Sequence, residues 1–170
     1  AIGVHSPAFA QGNSEKIIEN IRYEEFLELR DDPNVVILNA AKLEPYFWVV
    51  PEDQKDEGIT QKDLDAFLQK IIPAKETKVV LFCNANFRLT RKMPASWSVR
   101  GSLERNGYTD VHVLERLTPE EGFLGTKWGG RSTEEARMLE SEVHSYAKEI
   151  PSDPVLLEKL QKHLDNLKKQ

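Results

Sequence analysis

Residues 78–88 read KVVLFCNANFR, and this stretch is the clearest indication of the fold class. Its first five residues include four consecutive apolar side chains, a short run typical of a strand buried in a parallel sheet. The run ends at Cys83, the one cysteine of the chain. Ligands of parallel α/β sheets bind beyond the carboxyl ends of the strands. The stretch therefore predicts a buried strand that delivers a thiol to the edge of the sheet where sites form.

The segments on either side alternate between strand and helix patterns. Apolar runs at residues 35–38 and 111–114 predict two further short strands. Helical spacing of apolar residues predicts helices over residues 23–30, 60–72 and 96–106, the second opened by a Thr60/Asp63 capping box and the third closed by Gly107. Strands that alternate with helices predict an α/β fold with a central parallel sheet flanked by helices.

Composition narrows the classes of function. A chain of 170 residues with 39% hydrophobic residues can form one domain with a packed core. Its 23 basic and 28 acidic residues give a net charge of −5, which argues against a nucleic-acid binder that relies on a basic surface. No apolar run is long enough to predict a membrane span. The four histidines lack metal-ligand spacing, so the sequence predicts neither a metal site nor a cofactor.

The first ten residues resemble the end of a signal peptide. Ala8-Phe9-Ala10 fits the small-x-small pattern of a signal-peptidase site, and Pro7 precedes it. A disordered N-terminus that happens to contain two alanines is the alternative. The first interpretation predicts a mature start near Gln11 and export to a bacterial periplasm or the exterior. Together with the change of sequence pattern after residue 130, this interpretation divides the chain into a signal remnant at residues 1–10, a domain at 11–130 and an extension at 131–170.

The extension carries two amphipathic helix patterns. Residues 132–135 form a second capping-box pattern, and the apolar residues that follow it on one helical face are Ala136, Leu139, Val143, Tyr146, Ala147 and Ile150. Asp153 and Pro154 then supply the N-cap and the first residue of another helix, which bears a leucine stripe. These two helices cover either the sheet of their own domain or a partner protein, and the sequence leaves both interpretations open.

The residues after Cys83 predict an anion-binding loop. A short loop beyond a buried strand can curl so that its backbone N–H groups converge and stabilise a thiolate or a bound oxyanion. The proposed loop residues are Asn84, Ala85, Asn86, Phe87 and Arg88, the last adding a positive charge. Arg91, Lys92 and Trp48 are candidates for the pocket rim, or else a solvated loop and a core side chain. The alternative for Cys83 is that it packs as a small apolar side chain.

The chain resembles the rhodanese family over about residues 22–128. The resemblance lies in the strand, cysteine and arginine of residues 78–88, in LERNGYTDVHVLE at residues 103–115, and in the helix and strand patterns of residues 22–39. It implies a rhodanese-like sheet and a sulfurtransferase in which the Cys83 thiolate accepts sulfane sulfur as a persulfide. A small anionic sulfur donor would load Cys83, and cyanide or a thiol would unload it. Residues 84–88 would then cradle the persulfide or the leaving oxyanion.

Two classes of function remain open at this point. The first is the exported sulfurtransferase. The second is a rhodanese-like binding module with an idle cysteine, which acts through a protein partner on its C-terminal helices. Asn39-Ala40-Ala41 stands where the family usually carries Asp-x-Arg. The related protein phosphatases need an arginine six residues after the cysteine. Leu89 holds that position, so phosphatase activity is not expected.

Overall fold

The computed structural model describes residues 20–43, 46, 49–88, 95–117 and 131–170. Four parallel strands form one sheet in the order β1-β4-β3-β2. The strands are β1 (Asn20–Ile21), β2 (Val35–Asn39), β3 (Lys78–Phe82) and β4 (Val111–Leu114). The three strands expected from apolar runs are confirmed. The two-residue β1 was not predicted, and it pairs with β4 at the outer edge of the sheet.

Connections between the parallel strands determine which helix covers which face. The helices that connect strands are α1 (Tyr23–Leu29), α2 (Gln61–Ile71) and α3 (Ala95–Arg105). The connection from β1 to β2 runs across the sheet in one direction, whereas the connections from β2 to β3 and from β3 to β4 run back in the opposite direction. Because such crossovers are right-handed, α1 lies on one face of the sheet and α2 and α3 lie on the opposite face.

Alternation along the strands builds a separate core on each face. The first core lies beneath α2 and α3 and contains the strand residues Val36, Leu38, Val79, Leu81, Val111 and Val113. The second core lies beneath α1 and contains the strand residues Val35, Ile37, Val80, Phe82 and Leu114. Cys83 continues the alternation of β3, and its side chain belongs to the first core.

The helix signals in the sequence are confirmed in the structure. The Thr60 hydroxyl accepts a hydrogen bond from the backbone N–H of Asp63, and the Asp63 carboxylate accepts one from the Thr60 N–H. This reciprocal box satisfies two donors that the start of α2 would otherwise leave unpaired. After α3, Gly107 has a φ of +85°, a conformation that a residue with a side chain rarely adopts. Gly107 therefore ends α3 and turns the chain toward β4.

The two C-terminal helices pack on opposite faces of the domain's own sheet. They are α4 (Thr133–Tyr146), capped by Ser132, and α5 (Pro154–Lys168), capped by Asp153. α4 buries Ala136 and Val143 in the second core. The segment after α4 passes the edge strand β2, where the Lys148 N–H donates to the Ile37 carbonyl at 2.8 Å.

On the other face, α5 buries Leu156 and Leu160 in the first core. The C-terminal segment thus wraps around the β2 edge and covers backbone groups that an open sheet edge would expose. Ile150, which the sequence pattern placed on the face of the first C-terminal helix, lies after α4 and packs against the first core instead. Within the described ranges, no helix has both the length and the apolar content needed to cross a membrane.

Candidate functional site

Cys83 lies at the carboxyl end of the inner strand β3, directly before a short 3-10 turn at Asn84–Asn86. Its side chain is only 2% exposed. The sulfur lies 3.8 Å from the Oγ of Ser96, within hydrogen-bonding distance for sulfur. Ser96 sits in the first turn of α3, and the N–H groups of a helix's first turn carry partial positive charge. The hydroxyl can donate to a thiolate at this position, and the helix terminus favours negative charge there.

Asn86 fixes the backbone that carries the thiol. Its Oδ1 accepts a hydrogen bond from the Cys83 N–H at 2.7 Å, and its Nδ2 donates to the carbonyls of Leu114 and Glu115 at 2.6 and 3.1 Å. The side chain is 2% exposed, so these bonds form in a place that water does not reach. Asn86 therefore links the end of β3 to the end of β4 and fixes the position of the Cys83 backbone.

The end of the predicted loop turns toward the other face of the sheet. Phe87 is fully buried in the second core, where its ring makes an edge contact with Phe82 at 6.0 Å between centroids. Arg88 is exposed, and its Nη2 lies 3.3 Å from the Oε1 of Glu140 on α4. Cys83 packs with the first core and Arg88 pairs with α4, so the structure does not bring these two side chains together.

The contacts of Arg88 belong to a polar chain beneath α4. Glu140 also approaches His144 one turn later, with 3.9 Å between Oε1 and Nε2. The other ring nitrogen of His144, Nδ1, lies 3.4 Å from Nδ2 of Asn39 at the end of β2. Asn39 in turn accepts the Ala41 N–H through Oδ1 and caps the 3-10 turn at Ala40–Lys42. This chain fastens α4 to the carboxyl ends of the strands.

The other predicted site residues are placed as follows. Asn84 is exposed, whereas Ala85 is buried in the first core beside Cys83. Trp48, Arg91 and Lys92 lie outside the described residues, as do residues 1–10, for which the sequence predicts the end of an export signal. The anion-binding role of residues 84–88 stays a prediction.

Sequence reasoning missed two residues that lie on the same face as Cys83. Ser96 and Arg100 occupy positions of α3 that, with Val99 and Leu103, form its buried stripe. A charged residue within such a stripe is a signal that a helical wheel reveals, because apolar side chains normally fill those positions. Ser96 lies thirteen residues from Cys83 in the chain, and neither residue carries a pattern that indicates their contact.

Comparisons with family models, with curated proteins and with solved structures found no match.

Proposed function

We propose that the chain is a rhodanese-like sulfurtransferase in which Cys83 is the nucleophile. The observation that carries the proposal is the position of the Cys83 sulfur at the carboxyl end of an inner parallel strand, 3.8 Å from the Ser96 hydroxyl in the first turn of α3. Sites of parallel α/β sheets form at this edge. A hydroxyl donor and a helix N-terminus are two features that stabilise a thiolate.

The proposed reaction has two displacement steps. The Cys83 thiolate attacks the outer sulfur of a donor such as thiosulfate, a new S–S bond forms, and sulfite leaves with the electron pair of the bond that breaks. A nucleophilic acceptor then attacks the outer sulfur of the persulfide. With cyanide the product is thiocyanate, and the Cys83 thiolate is regenerated. The first step moves negative charge from the Cys83 sulfur to the departing sulfite. The second step returns the charge to the Cys83 sulfur, where the Ser96 hydroxyl is placed to stabilise the regenerated thiolate.

The experiment that tests this proposal is intact mass spectrometry after incubation with thiosulfate. We expect a gain of one sulfur atom that cyanide removes. Cys83→Ser is the control for the nucleophile, and it should show no gain. The absence of any gain from thiosulfate or from a polysulfide donor would contradict the proposal.

A second candidate function is a binding module whose cysteine performs no chemistry. The 2% exposure of Cys83 favours it, because a structural cysteine packs as a small apolar side chain. In this case the C-terminal helices would bind a partner protein through their exposed apolar side chains, which are Met138, Val155, Leu157 and Leu167. A thiol that neither gains sulfur nor alkylates in the folded protein would select this alternative.

Export of the protein to a bacterial periplasm remains a proposal that rests on Ala8-Phe9-Ala10. Fractionation of cells that express the complete precursor tests it. A processed protein in the periplasmic fraction is expected, and an unprocessed protein in the cytoplasm would contradict it.

A further inference from the structure

The C-terminal segment contacts the edge strand β2 through its backbone and through a histidine side chain. The Lys148 N–H donates to the Ile37 carbonyl at 2.8 Å. Two residues later along β2, Nδ2 of Asn39 lies 3.4 Å from Nδ1 of His144, in the last turn of α4. The backbone contact contains no group that titrates, whereas a histidine ring changes its charge near neutral pH. The attachment of the segment to β2 therefore includes a group that responds to pH.

The contact between Asn39 and His144 forms only when the ring is neutral. The Oδ1 of Asn39 accepts the Ala41 N–H at 3.0 Å, so the nitrogen that faces His144 is a donor and Nδ1 of the ring must accept. A neutral imidazole with its proton on Nε2 offers this acceptor, whereas imidazolium carries an N–H on both nitrogens. Reversal of the buried Asn39 amide would only turn its NH₂ group against the Ala41 N–H. A charged ring therefore places two donors against each other, and the contact is lost.

Among the residues that the structure describes, the carboxylate beside the ring acts in the same direction. Glu140 lies one turn earlier on α4, with its Oε1 3.9 Å from Nε2 of His144. Arg88 shares this carboxylate at 3.3 Å, and Arg116 donates to the Arg88 carbonyl. β3 faces the ring with the uncharged Phe82, at 5.0 Å between ring centroids. A positive charge on the ring is therefore attracted toward Glu140 and away from β2.

We propose that His144 and Asn39 form a pH-sensitive latch that holds the C-terminal segment against the β2 edge. The latch is closed while the ring is neutral, and it opens as the pH falls through the range of about 8 to 5 in which histidine becomes charged. Opening removes a contact beside the bond between Lys148 and Ile37, so the segment should separate from β2 more often. The latch does not depend on the chemistry of Cys83.

Amide hydrogen exchange of the full chain, followed by NMR, tests the latch at the Lys148 N–H. The measured quantity is the protection factor of this amide, which divides out the intrinsic pH dependence of exchange. Because the latch contributes about one net hydrogen bond, we expect the factor to fall by roughly two- to tenfold from about pH 8 to about pH 5 in the wild-type protein. A factor that stays constant over this range would overturn the proposal.

Two substitutions separate the latch from a general sensitivity of the protein to acid. Asn39→Asp keeps an oxygen for the Ala41 N–H but replaces the donor that faces His144 by an acceptor. A charged ring then strengthens the contact, so the protection factor should rise as the pH falls, the reverse of the wild-type response. His144→Asn places a side-chain oxygen close to the position of Nδ1 and does not titrate, so the fall should disappear.

A histidine outside the latch supplies the matched control. His163→Asn removes a half-buried histidine of α5 and should leave the wild-type fall at Lys148 unchanged. A fall of wild-type size in His144→Asn, or a fall instead of a rise in Asn39→Asp, would overturn the latch. Because the readout at Lys148 does not involve the thiol, either of these results would leave the sulfurtransferase proposal standing.

Discussion

Replacement of Asn86 by alanine should destabilise the protein strongly, although the side chain is small and polar. The substitution removes one acceptor for the Cys83 N–H and two hydrogen bonds to the carbonyls of Leu114 and Glu115. All of these groups meet at a side chain that is 2% exposed, so water cannot replace the lost bonds without opening the sheet edge.

The magnitude follows from the number of groups left unpaired. A buried N–H that loses its partner costs roughly 1–3 kcal/mol, and each further lost hydrogen bond removes about 0.5–1.5 kcal/mol of net stability. The expected loss for Asn86→Ala is therefore about 3 kcal/mol in the free energy of unfolding. For a domain of this size each kcal/mol corresponds to about 2–4 °C, so Tm should fall by roughly 6–12 °C.

The assay is urea unfolding followed by far-UV circular dichroism, with Asn84→Ala as the matched control. Asn84 belongs to the same 3-10 turn but its side chain is exposed, so its replacement should change stability by less than about 0.5 kcal/mol. Equal effects of the two substitutions, or a loss below about 1 kcal/mol for Asn86→Ala, would refute the assigned hydrogen-bond network.

Three further tests, which use four substitutions, concern the packing and the titrating groups. Leu160→Ala in α5 should lower the free energy of unfolding by about 2–5 kcal/mol, because Leu160 is 6% exposed and packs in the first core. Leu157→Ala, at a residue that is 43% exposed, should lower it by less than about 0.5 kcal/mol in the same urea assay. Similar values for the two substitutions would contradict the packing of α5 on the sheet. Burial alone would raise the pKa of Asp63, but hydrogen bonds from Thr60 and Lys159 outweigh burial and lower it from its ordinary value of 3.8. The contribution of Asp63 to stability is therefore present above that pH and is lost as the pH falls. Asp63→Asn should make the free energy of unfolding, measured with urea, decline less steeply toward acidic pH. An unchanged decline would count against these hydrogen bonds. Burial and a hydrogen bond to Glu142 raise the pKa of Tyr23 from 10.0 to about 12. The contribution of Tyr23 to stability is present below pH 10.0 and is lost as the pH rises through about 12. In a titration followed by tyrosinate absorbance, Tyr23→Phe should remove the component that appears at the highest pH. The persistence of that component would refute the assignment to Tyr23.

The elements of the fold could be predicted because each carries a local signal. The apolar run before Cys83, the Thr60/Asp63 box and Gly107 act within a few residues, and the structure uses them as expected. β1 (Asn20–Ile21) could not be predicted, because two residues show no periodicity and their strand pairing depends on β4, about ninety residues away.

The arrangement of the candidate site depended on information that a single sequence does not contain. The spacing between Cys83 and Arg88 suggests proximity, but the buried ring of Phe87 and the carboxylate of Glu140 lead the chain to the opposite face. The stripes of α4 and α5 show that each helix covers an apolar surface, yet a stripe does not identify the face of the sheet. The contact between Cys83 and Ser96 likewise arises from the right-handed return through α3.

The proposed function requires Cys83 to react as a nucleophile from within the folded protein. The most direct measurement is its alkylation rate with iodoacetamide, in the native protein and after unfolding in urea, at the same mildly acidic pH. A thiolate stabilised by the Ser96 hydroxyl and the α3 terminus should react at least as fast in the native protein as in the unfolded chain. A native rate that lies orders of magnitude below the unfolded rate would show a buried, idle thiol and overturn the proposed sulfurtransferase activity.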